Sequence, residues 1–347
     1  MGLRWALIGA SDIAATRMIP AFRENGGSIS VVQSGSAAWA EEYAALHGIP
    51  GWTTSVIDAV SRSDVDAVYV SSTNEKHHDQ VLAVAAAGKH CLAEKPLALS
   101  VADASAMVAA CASAGVVLAT NHHLPSSPAH RAMAELIASG AIGRVLSVTI
   151  QHANGLPPRL EGWRVHDPAG GGVLLDVFVH DMAACRALLG GSAASVTVIG
   201  VAPAADSSGE SRSAFDDTMS LVEWTSGLGE PVLVQTHDSY TNFHLPTGIE
   251  IIGTDGALVG RDALAQDPIG KVFLVRGGEF TPVDLGPEIG LYDFTVARFE
   301  EAVAARAAGD ATAQPWVTGE DGVISLAAAL AGVESLRTGA KVPVVGV

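Results

Sequence analysis

The fold of this chain is decided early, by the stretch LRWALIGASDIA at residues 3–14. Residues 3–8 are mostly apolar and predict a buried strand that ends at Gly9, and a helical pattern follows from about Ile13 to Asn25. A strand, a tight turn with glycine and a helix are typical of the first βαβ unit of a doubly wound domain. The turn fits G-x-G-x-x-G/A at its first and last positions, with Ser11 in place of the middle glycine. We therefore predict dinucleotide binding here, an ordinary βα turn being the alternative; the residues are Gly9, Ala10, Ser11, Ile13 and Ala14.

The end of the second predicted strand, Ser30–Gln33, bears on which dinucleotide is bound. An Asp or Glu about 20 residues after the glycines would hydrogen-bond the ribose 2′-OH of NAD. This strand is instead followed by Ser34-Gly35-Ser36, whose hydroxyls can donate to a 2′-phosphate that no carboxylate repels. We predict NADP(H) as the preferred cofactor, with NAD(H) possible, and with the serines as plain turn residues as the alternative.

Strand and helix alternate through the first 120 residues, and the pattern then changes. From Ala194 onward, predicted strands follow one another without helices, which indicates antiparallel pairing. The predicted fold class is α/β, with an N-terminal Rossmann doubly wound parallel sheet followed by an α+β domain with a large open, mainly antiparallel sheet. We assign residues 1–122 to the dinucleotide-binding domain and 123–347 to the substrate-binding domain.

The composition and net charge of the chain limit the classes of molecule that it is expected to bind. The 347 residues suffice for about two domains, and their net charge is −17. So acidic a surface disfavours nucleic acid and anionic membrane surfaces as partners, and no apolar run reaches the roughly 20 residues needed to span a bilayer. The chain has three cysteines, Cys91, Cys111 and Cys185, which are odd in number and far apart in the sequence. This pattern indicates a protein of the reducing cytoplasm rather than one with disulfides.

Two further sites carry groups suited to acid–base chemistry. Glu94-Lys95-Pro96 lies where a parallel strand ends, the edge at which open α/β sheets bind ligands, so Lys95 can place an ammonium beside a carbonyl oxygen. Asp176 and His180 are four residues apart on one predicted helix, Val173–Leu189, and therefore share a face. A buried structural pair and a metal pair are the alternatives for these two residues. We predict no metal, because His77-His78 and His122-His123 are adjacent doublets rather than ligands at zinc spacing.

Taken together, these elements resemble the Gfo/Idh/MocA oxidoreductase family over essentially the whole chain. The resemblance rests on Gly9 to Ala14, Thr73-Asn74 with His77, Glu94-Lys95-Pro96, and the Gly171-Gly172…Asp176…His180 segment. Within the family it is greatest to NADPH-preferring sugar reductases, through Thr120–Leu124, Ala129–Met133 and Gly162-Trp163-Arg164. Two positions depart from that pattern: Trp39 stands where an Arg is expected, and Pro125 where a basic residue is expected.

The resemblance implies hydride transfer between a nicotinamide and a sugar or polyol. Lys95, Asp176 and His180 are then the catalytic residues, and His152, Trp163 and Arg164 join Asp176 and His180 in substrate binding; core packing is the alternative for Trp163. The implied cofactor contacts beyond the first turn are Ser34, Ser72, Thr73, Asn74, His77, Glu94, Lys95 and Asn121.

Other functions stay open at this stage. They are an inositol or other sugar dehydrogenase that uses NAD, a non-catalytic dinucleotide-binding sensor, and a metal-dependent isomerase or hydrolase. The chain is expected to be a monomer or a homo-oligomer formed through the open sheet.

Overall fold

The computed structural model describes residues 2–167, 169–201, 209 and 213–346. The chain divides into two compact units. One holds the residues up to His122 together with Tyr292–Val323, and the other holds His123–Leu291 together with the residues from Ile324 onward. The sequence-based ranges had placed residues 292–323 in the second domain.

The first unit is built on a six-stranded sheet in the order β3-β2-β1-β4-β5-β6, in which every pairing is parallel. Its strands are β1 Arg4–Ile8, β2 Ser28–Gln33, β3 Trp52–Thr53, β4 Ala67–Val70, β5 His90–Ala93 and β6 Leu118–Thr120. Its helices are α1 Ile19–Glu24, α2 Ala37–His47, α3 Val56–Val60, α4 His77–Ala86 and α5 Val101–Ser113. Because the order reverses between β1 and β4, the carboxyl ends of these two strands flank the point where doubly wound folds bind dinucleotides.

Aromatic side chains close one face of this sheet. Trp5 of β1 stacks on Phe22 of α1 with ring centroids 4.1 Å apart, and Phe299 packs on the same indole at 5.3 Å. All three rings are buried. Phe299 lies on α9 Leu291–Ala307, so a helix from late in the chain completes a core that begins at residue 5.

The second unit carries a nine-stranded sheet in the order β14-β13-β12-β11-β7-β10-β9-β8-β15. Its strands are β7 Val145–Ala153, β8 Ser192–Gly200, β9 Asp217–Thr225, β10 Pro231–Ser239, β11 Gly248–Gly253, β12 Ala257–Arg261, β13 Lys271–Arg276, β14 Glu279–Pro282 and β15 Val342–Pro343. Its helices are α6 Pro128–Ala138, α7 Gly162–His166 and α8 Val179–Leu189, while α10 Gly319–Thr338 belongs to both units. The predicted fold class is therefore confirmed.

One pair of strands in this sheet is parallel. β10 runs parallel to β7 and antiparallel to β9, whereas the other pairings are antiparallel. The register of the parallel pair sets Asp238 directly beside His152.

Side chains alternate between buried and exposed along β9 and most of β10, as expected for a sheet with one covered face. On β9 and β10 the buried series includes Val222, Trp224, Val232 and Val234. The opposite series carries large apolar side chains that stay exposed, including Leu221 at 62% and Leu233 at 67%. This exposed sheet face comprises Ile199, Met219, Leu221, Leu233, Ile252 and Phe280.

Two predicted α-helices begin differently from expectation. The helix expected over residues 13–25 contains a π-helical turn, Ala14–Met18, before α1, and the one expected over Val173–Leu189 contains another, Leu174–Phe178, before α8. π-Helical turns of this kind are frequent at functional sites. Among the described residues, no helix combines the length and apolar character of a membrane span.

Candidate functional site

The turn after β1 is shaped by a close approach of two backbones. Gly9 adopts φ +105°, and a Cβ added there would come within 2.7 Å of backbone atoms of Ser71 and Ser72, at the end of β4. Only glycine fits that position. The turn therefore brings the carboxyl ends of β1 and β4 together, at the position where doubly wound folds bind a dinucleotide.

Ser11 is tied into this turn. Its hydroxyl donates to Ser71 Oγ at 2.8 Å and accepts from the backbone N–H of Ala14 at 3.2 Å. It therefore secures the turn to β4 as well as replacing glycine. Tyr43 Oη donates to the Ser11 carbonyl, and Trp39 Nε1 donates to the Ala10 carbonyl, so two aromatic residues of α2 also hold the turn.

The end of β2 presents hydroxyls and no carboxylate. Gln33 is buried and donates its amide to the Thr54 carbonyl, while Ser34 Oγ accepts a long bond from the N–H of Ser36. Ser36 in turn caps α2, its Oγ accepting from the N–H of Trp39. Where an NAD-binding protein would have an Asp or Glu after β2, this chain therefore has a loop in which Ser34 and Ser36 lie beside the first turn of α2.

The loop after β4 carries four predicted cofactor contacts. Ser72 Oγ donates to Gln80 at 2.6 Å, Thr73 Oγ1 donates to Glu75, and Asn74 is buried in a short 3₁₀ turn. His77 is also buried, with its ring nitrogens 3.0 Å from the Pro96 carbonyl and 3.1 Å from the Ser72 carbonyl. Its imidazole joins the loop after β4 to the loop after β5.

Glu94 is held by three donors at the end of β5. Its Oε1 accepts from Tyr69 Oη and, at 2.6 Å, from Asn121 Nδ2; its Oε2 accepts from the N–H of Lys95. The peptide bond between Lys95 and Pro96 is cis. Glu94 therefore positions the backbone of Lys95.

The Lys95 ammonium acts on a neighbouring imidazole. Burial, and then the positive charge of Lys95, lower the pKa of His122 to about 3. His122 is completely buried and therefore stays neutral at ordinary pH. The cation at this strand end is thus Lys95.

In the second unit, Asp176 is the centre of a polar cluster. Its Oδ2 accepts from Arg164 Nε at 3.1 Å and from Tyr240 Oη at 2.9 Å. Burial raises the pKa of Tyr240 well above its usual range, so the phenol keeps the proton it donates. Arg164, predicted as a substrate contact, also lies over the indole of Trp163 with its guanidinium carbon 4.6 Å from the ring centroid.

The glycine run before Asp176 allows this cluster to form. A Cβ on Gly171 would come within 2.5–2.8 Å of the carbonyl oxygens of Trp163, Arg164 and Asp167. The chain therefore packs directly against the backbone of α7, and Trp163 and Arg164 are brought beside the turn that carries Asp176. Trp163 itself is half-buried.

The two predicted histidines of this unit lie in different surroundings. His180 is buried, and its ring meets that of His123 edge-on, with centroids 4.5 Å apart. The Nδ1 of His152 lies 2.6 Å from Oδ1 of Asp181, the residue that follows His180 on α8.

Sequence reasoning did not single out Tyr240, Asp181 or Asp238. Tyr240 and Asp238 come from β10 and its end, far along the chain from the segment they contact. Asp181 had one signal, its place directly after His180 on an otherwise apolar helix. The arrangement now offers an ammonium at a strand end in one unit and, in the other, a hydrogen-bonded carboxylate followed four residues later by an imidazole. These are the groups that carbonyl reduction uses to stabilise charge and to move a proton.

Comparison with known proteins gives matches to both parts of the chain. Residues 3–122 match the family described as "Oxidoreductase family, NAD-binding Rossmann fold". Residues 130–259 match the GFO/IDH/MocA C-terminal domain.

Two curated relatives span nearly the whole chain. A 1,5-anhydro-D-fructose reductase of Ensifer adhaerens is 44% identical over 338 residues, covering 97% of each chain. An inositol 2-dehydrogenase of Rhodococcus erythropolis is 31% identical, covering 99% of this chain and 95% of its own. The predicted likeness to a sugar reductase, 1,5-anhydro-D-fructose reductase, is thereby confirmed.

Solved structures confirm the fold. An aldose–aldose oxidoreductase from Caulobacter crescentus, complexed with glycerol, superposes with a TM-score of 0.83 at 24% identity, covering 99% of this chain and 100% of its own. A levoglucosan dehydrogenase in complex with NADH and levoglucosan gives 0.84 at 20% identity over the whole of both chains.

Proposed function

The chain belongs to the Gfo/Idh/MocA oxidoreductase family, and from that membership we propose that it is an NADP(H)-dependent reductase of a sugar ketone resembling 1,5-anhydro-D-fructose. The observation that carries the proposal is the cluster around Asp176. Its carboxylate is held by Arg164 and Tyr240 and is followed four residues later by His180, in a chain that also places Lys95 at the end of a Rossmann strand.

The Rossmann turn suits the cofactor. The close approach that requires Gly9 and the strand-order reversal between β1 and β4 are what a bound pyrophosphate demands. Further contacts are proposed for Ser34, the loop Ser72–Asn74, His77, Glu94, Lys95 and Asn121. When bound, NADPH supplies the hydride that reduces the carbonyl carbon.

The protein's own groups act on the carbonyl oxygen and on the rest of the sugar. His180 donates a proton to the oxygen as it becomes an alkoxide. The Lys95 ammonium stabilises the negative charge that develops there. Asp176 accepts a hydrogen bond from a substrate hydroxyl and stays fixed by its two donors. His152, Arg164 and the face of Trp163 contact the remaining hydroxyls and C–H groups.

The preference for NADP(H) is supported by the end of β2, where Ser34 and Ser36 offer hydroxyls and no carboxylate opposes a 2′-phosphate. Trp39, which replaces an expected Arg, spans from α2 to the first turn and offers an aromatic surface in place of a cation. An NAD-dependent polyol dehydrogenase is the second candidate, favoured by the full-length inositol 2-dehydrogenase relative.

Turnover with a defined panel tests this proposal. Nicotinamide absorbance is followed with 1,5-anhydro-D-fructose and NADPH or NADH, and in the oxidative direction with myo-inositol and aldoses. We expect reduction of 1,5-anhydro-D-fructose with a kcat/KM higher for NADPH than for NADH. Oxidation of myo-inositol with NAD and no reduction of the anhydro sugar would establish the second candidate instead. Tight cofactor binding without turnover would indicate a sensor.

We further propose that two copies of the chain associate through the exposed sheet face. Large apolar side chains stay exposed on the neighbouring strands β8, β9 and β10, which is a feature of interaction surfaces. Buried free thiols at Cys91, Cys111 and Cys185 are compatible with the reducing cytoplasm proposed as its compartment.

A further inference from the structure

A buried cluster joins the proposed substrate contact His152 to two carboxyl groups that the mechanism above does not use. It consists of His152 on β7, Asp181 on α8 and Asp238 on β10, whose ligand-type atoms lie within 4.8 Å of one another. The parallel register of β7 and β10 sets Asp238 beside His152. Asp181 and Asp238 have 0% exposure, so water does not solvate their charges.

Two acids so deeply buried cannot both be ionised without cost. One oxygen of each, Oδ2 of Asp181 and Oδ1 of Asp238, is buried and has no hydrogen-bond partner within the described part of the chain. The two carboxyl groups lie close enough to interact, and a hydrogen bond between them requires a proton on one of them. Because Asp181 also faces Nδ1 of His152, we assign the shared proton to Asp238 and leave Asp181 as the acceptor of both bonds.

The remaining contacts fit that assignment. Asp181 Oδ1 lies 2.6 Å from His152 Nδ1, a distance typical of a charge-assisted N–H···O⁻ bond. The hydroxyl of Thr236 binds the other oxygen of Asp238. The neighbouring groups contribute no charge: burial lowers the pKa of His130 to about 3 and raises that of Cys185 well above its usual range.

We propose that Asp181 and Asp238 share one proton and act together as a positioning pair that holds His152 with its proton on Nδ1. Asp238 donates to Asp181, and Asp181 accepts from the imidazole. The ring of His152 then meets a substrate hydroxyl only through Nε2, in one fixed orientation. This last consequence rests on the proposed function, whereas the pair itself does not.

A metal ion is the competing occupant, because two carboxylates and an imidazole are also a ligand set. The short contact between Nδ1 and Asp181 argues for a proton, since a metal needs the bare lone pair of that nitrogen.

Proton NMR of the whole protein in H2O tests the pair without any substrate. A proton bonded between an imidazole and a buried carboxylate resonates downfield of the amide envelope, and loss of the signal in His152→Phe assigns it. Asp181→Asn should shift this resonance upfield or abolish it. Asp238→Asn keeps a donor toward Asp181 and should retain the resonance, whereas Asp238→Leu removes the donor and should move it upfield.

Several results would overturn the pair. They are absence of the resonance from the wild-type protein, its persistence unchanged in Asp181→Asn, and identical spectra for Asp238→Asn and Asp238→Leu. Stoichiometric divalent metal in the purified protein, with a spectrum altered by a chelator, would assign the cluster to a cation instead. Thermal melts identify any variant that fails to fold. If Asp181→Asn does not fold, the difference between the spectra of Asp238→Asn and Asp238→Leu tests the pair.

Activity gives a separate readout. Asp181→Asn and Asp238→Leu should raise KM for the sugar more than they lower kcat, and Asp238→Asn should restore most of the loss. A protein with the expected spectra and no sugar turnover would retain the pair and disprove the proposed function.

Discussion

The phenol of Tyr240 donates a 2.9 Å hydrogen bond to Oδ2 of Asp176, which Arg164 also contacts. The two residues lie 64 positions apart in the chain. The carboxylate is therefore fixed from two directions, by a cation from α7 and by a neutral donor that follows β10.

Tyr240→Phe keeps the buried ring and removes only the hydroxyl. Hydrogen bonds to charged groups contribute roughly 1.5–3 kcal/mol, so we expect kcat/KM for the sugar to fall about tenfold or more, equivalent to at least ~1.4 kcal/mol. Cofactor affinity should change little, whereas the melting temperature should fall by a few degrees because the buried hydrogen bond also contributes to stability. An unaltered kcat/KM would show that Arg164 alone positions Asp176.

The proposed acid–base pair is tested by Lys95→Met and His180→Asn. Each should lower kcat by about 10²-fold or more, because general acid catalysis and charge stabilisation each contribute on that scale. Steady-state rates are compared with the exposed substitutions Lys271→Met and His244→Asn, which should behave as wild type. Near-normal kcat in either site variant would remove that residue from the mechanism.

Cofactor choice is tested at the end of β2. Ser34→Asp places a carboxylate where a 2′-phosphate is expected, and repulsion should raise KM for NADPH about tenfold or more while leaving KM for NADH similar or lower. Ser34→Asn, which is similar in size and uncharged, should change the ratio of the two values much less. Equal effects of both substitutions would mean that Ser34 does not face the 2′ position.

Stability should depend on pH through the buried carboxyls. Burial raises the pKa of this pair, to about 8 at Asp181 and well above the usual range at Asp238, so the folded protein keeps the shared proton from about pH 4 upward, where the unfolded chain has lost it. Their contribution is present at low pH and is lost as pH rises through the folded pKa. Buried His122 and His130, with pKa values of about 3, act in the opposite sense below about pH 6.5.

The free energy of unfolding should therefore fall between pH 6.5 and 8, by at most about 1.4 kcal/mol per pH unit for each proton. Denaturant titrations at several pH values measure it. Asp181→Asn should make the decline shallower, and the exposed Asp58→Asn should leave it unchanged. A flat profile in the wild-type protein contradicts the assignment of raised pKa values.

Association through the exposed sheet face is tested by Leu221→Lys with Leu233→Lys. Burying two unpaired lysine charges at such an interface is costly, so light scattering should show a shift toward the monomer. Leu46→Lys alters a side chain that is 72% exposed on α2 and should leave the mass unchanged. A wild-type protein that is monomeric at all concentrations rules this interface out.

Much of the fold could be predicted from local pattern. Glycines at helix ends and short apolar runs were enough to identify the Rossmann sheet, and a change from alternating elements to successive strands identified the second sheet. The parallel pairing of β7 with β10 could not be predicted, because strand neighbours separated by dozens of residues leave no local signal. Neither could the π-helical turns before α1 and α8, which the apolar pattern does not distinguish from α-helix.

The parts of the candidate site that lie within one short stretch of sequence could be predicted, and those that folding brings together from distant stretches could not. Gly9–Ala14 and Glu94-Lys95-Pro96 are continuous motifs, and Asp176 with His180 is a spacing on one segment. Tyr240 and Asp238 become visible only once β10 is folded beside β7. Their partners are chosen by register, which no single stretch of sequence encodes.

The contact between Trp5 and Phe299 has a consequence for biosynthesis. A ribosome adds 293 residues between this indole and the phenyl ring that packs on it. The first unit must therefore wait, with β1 incompletely covered, until α9 has been made. A chaperone that shields nascent apolar strands would therefore have to cover the indole face of β1 until α9 is available.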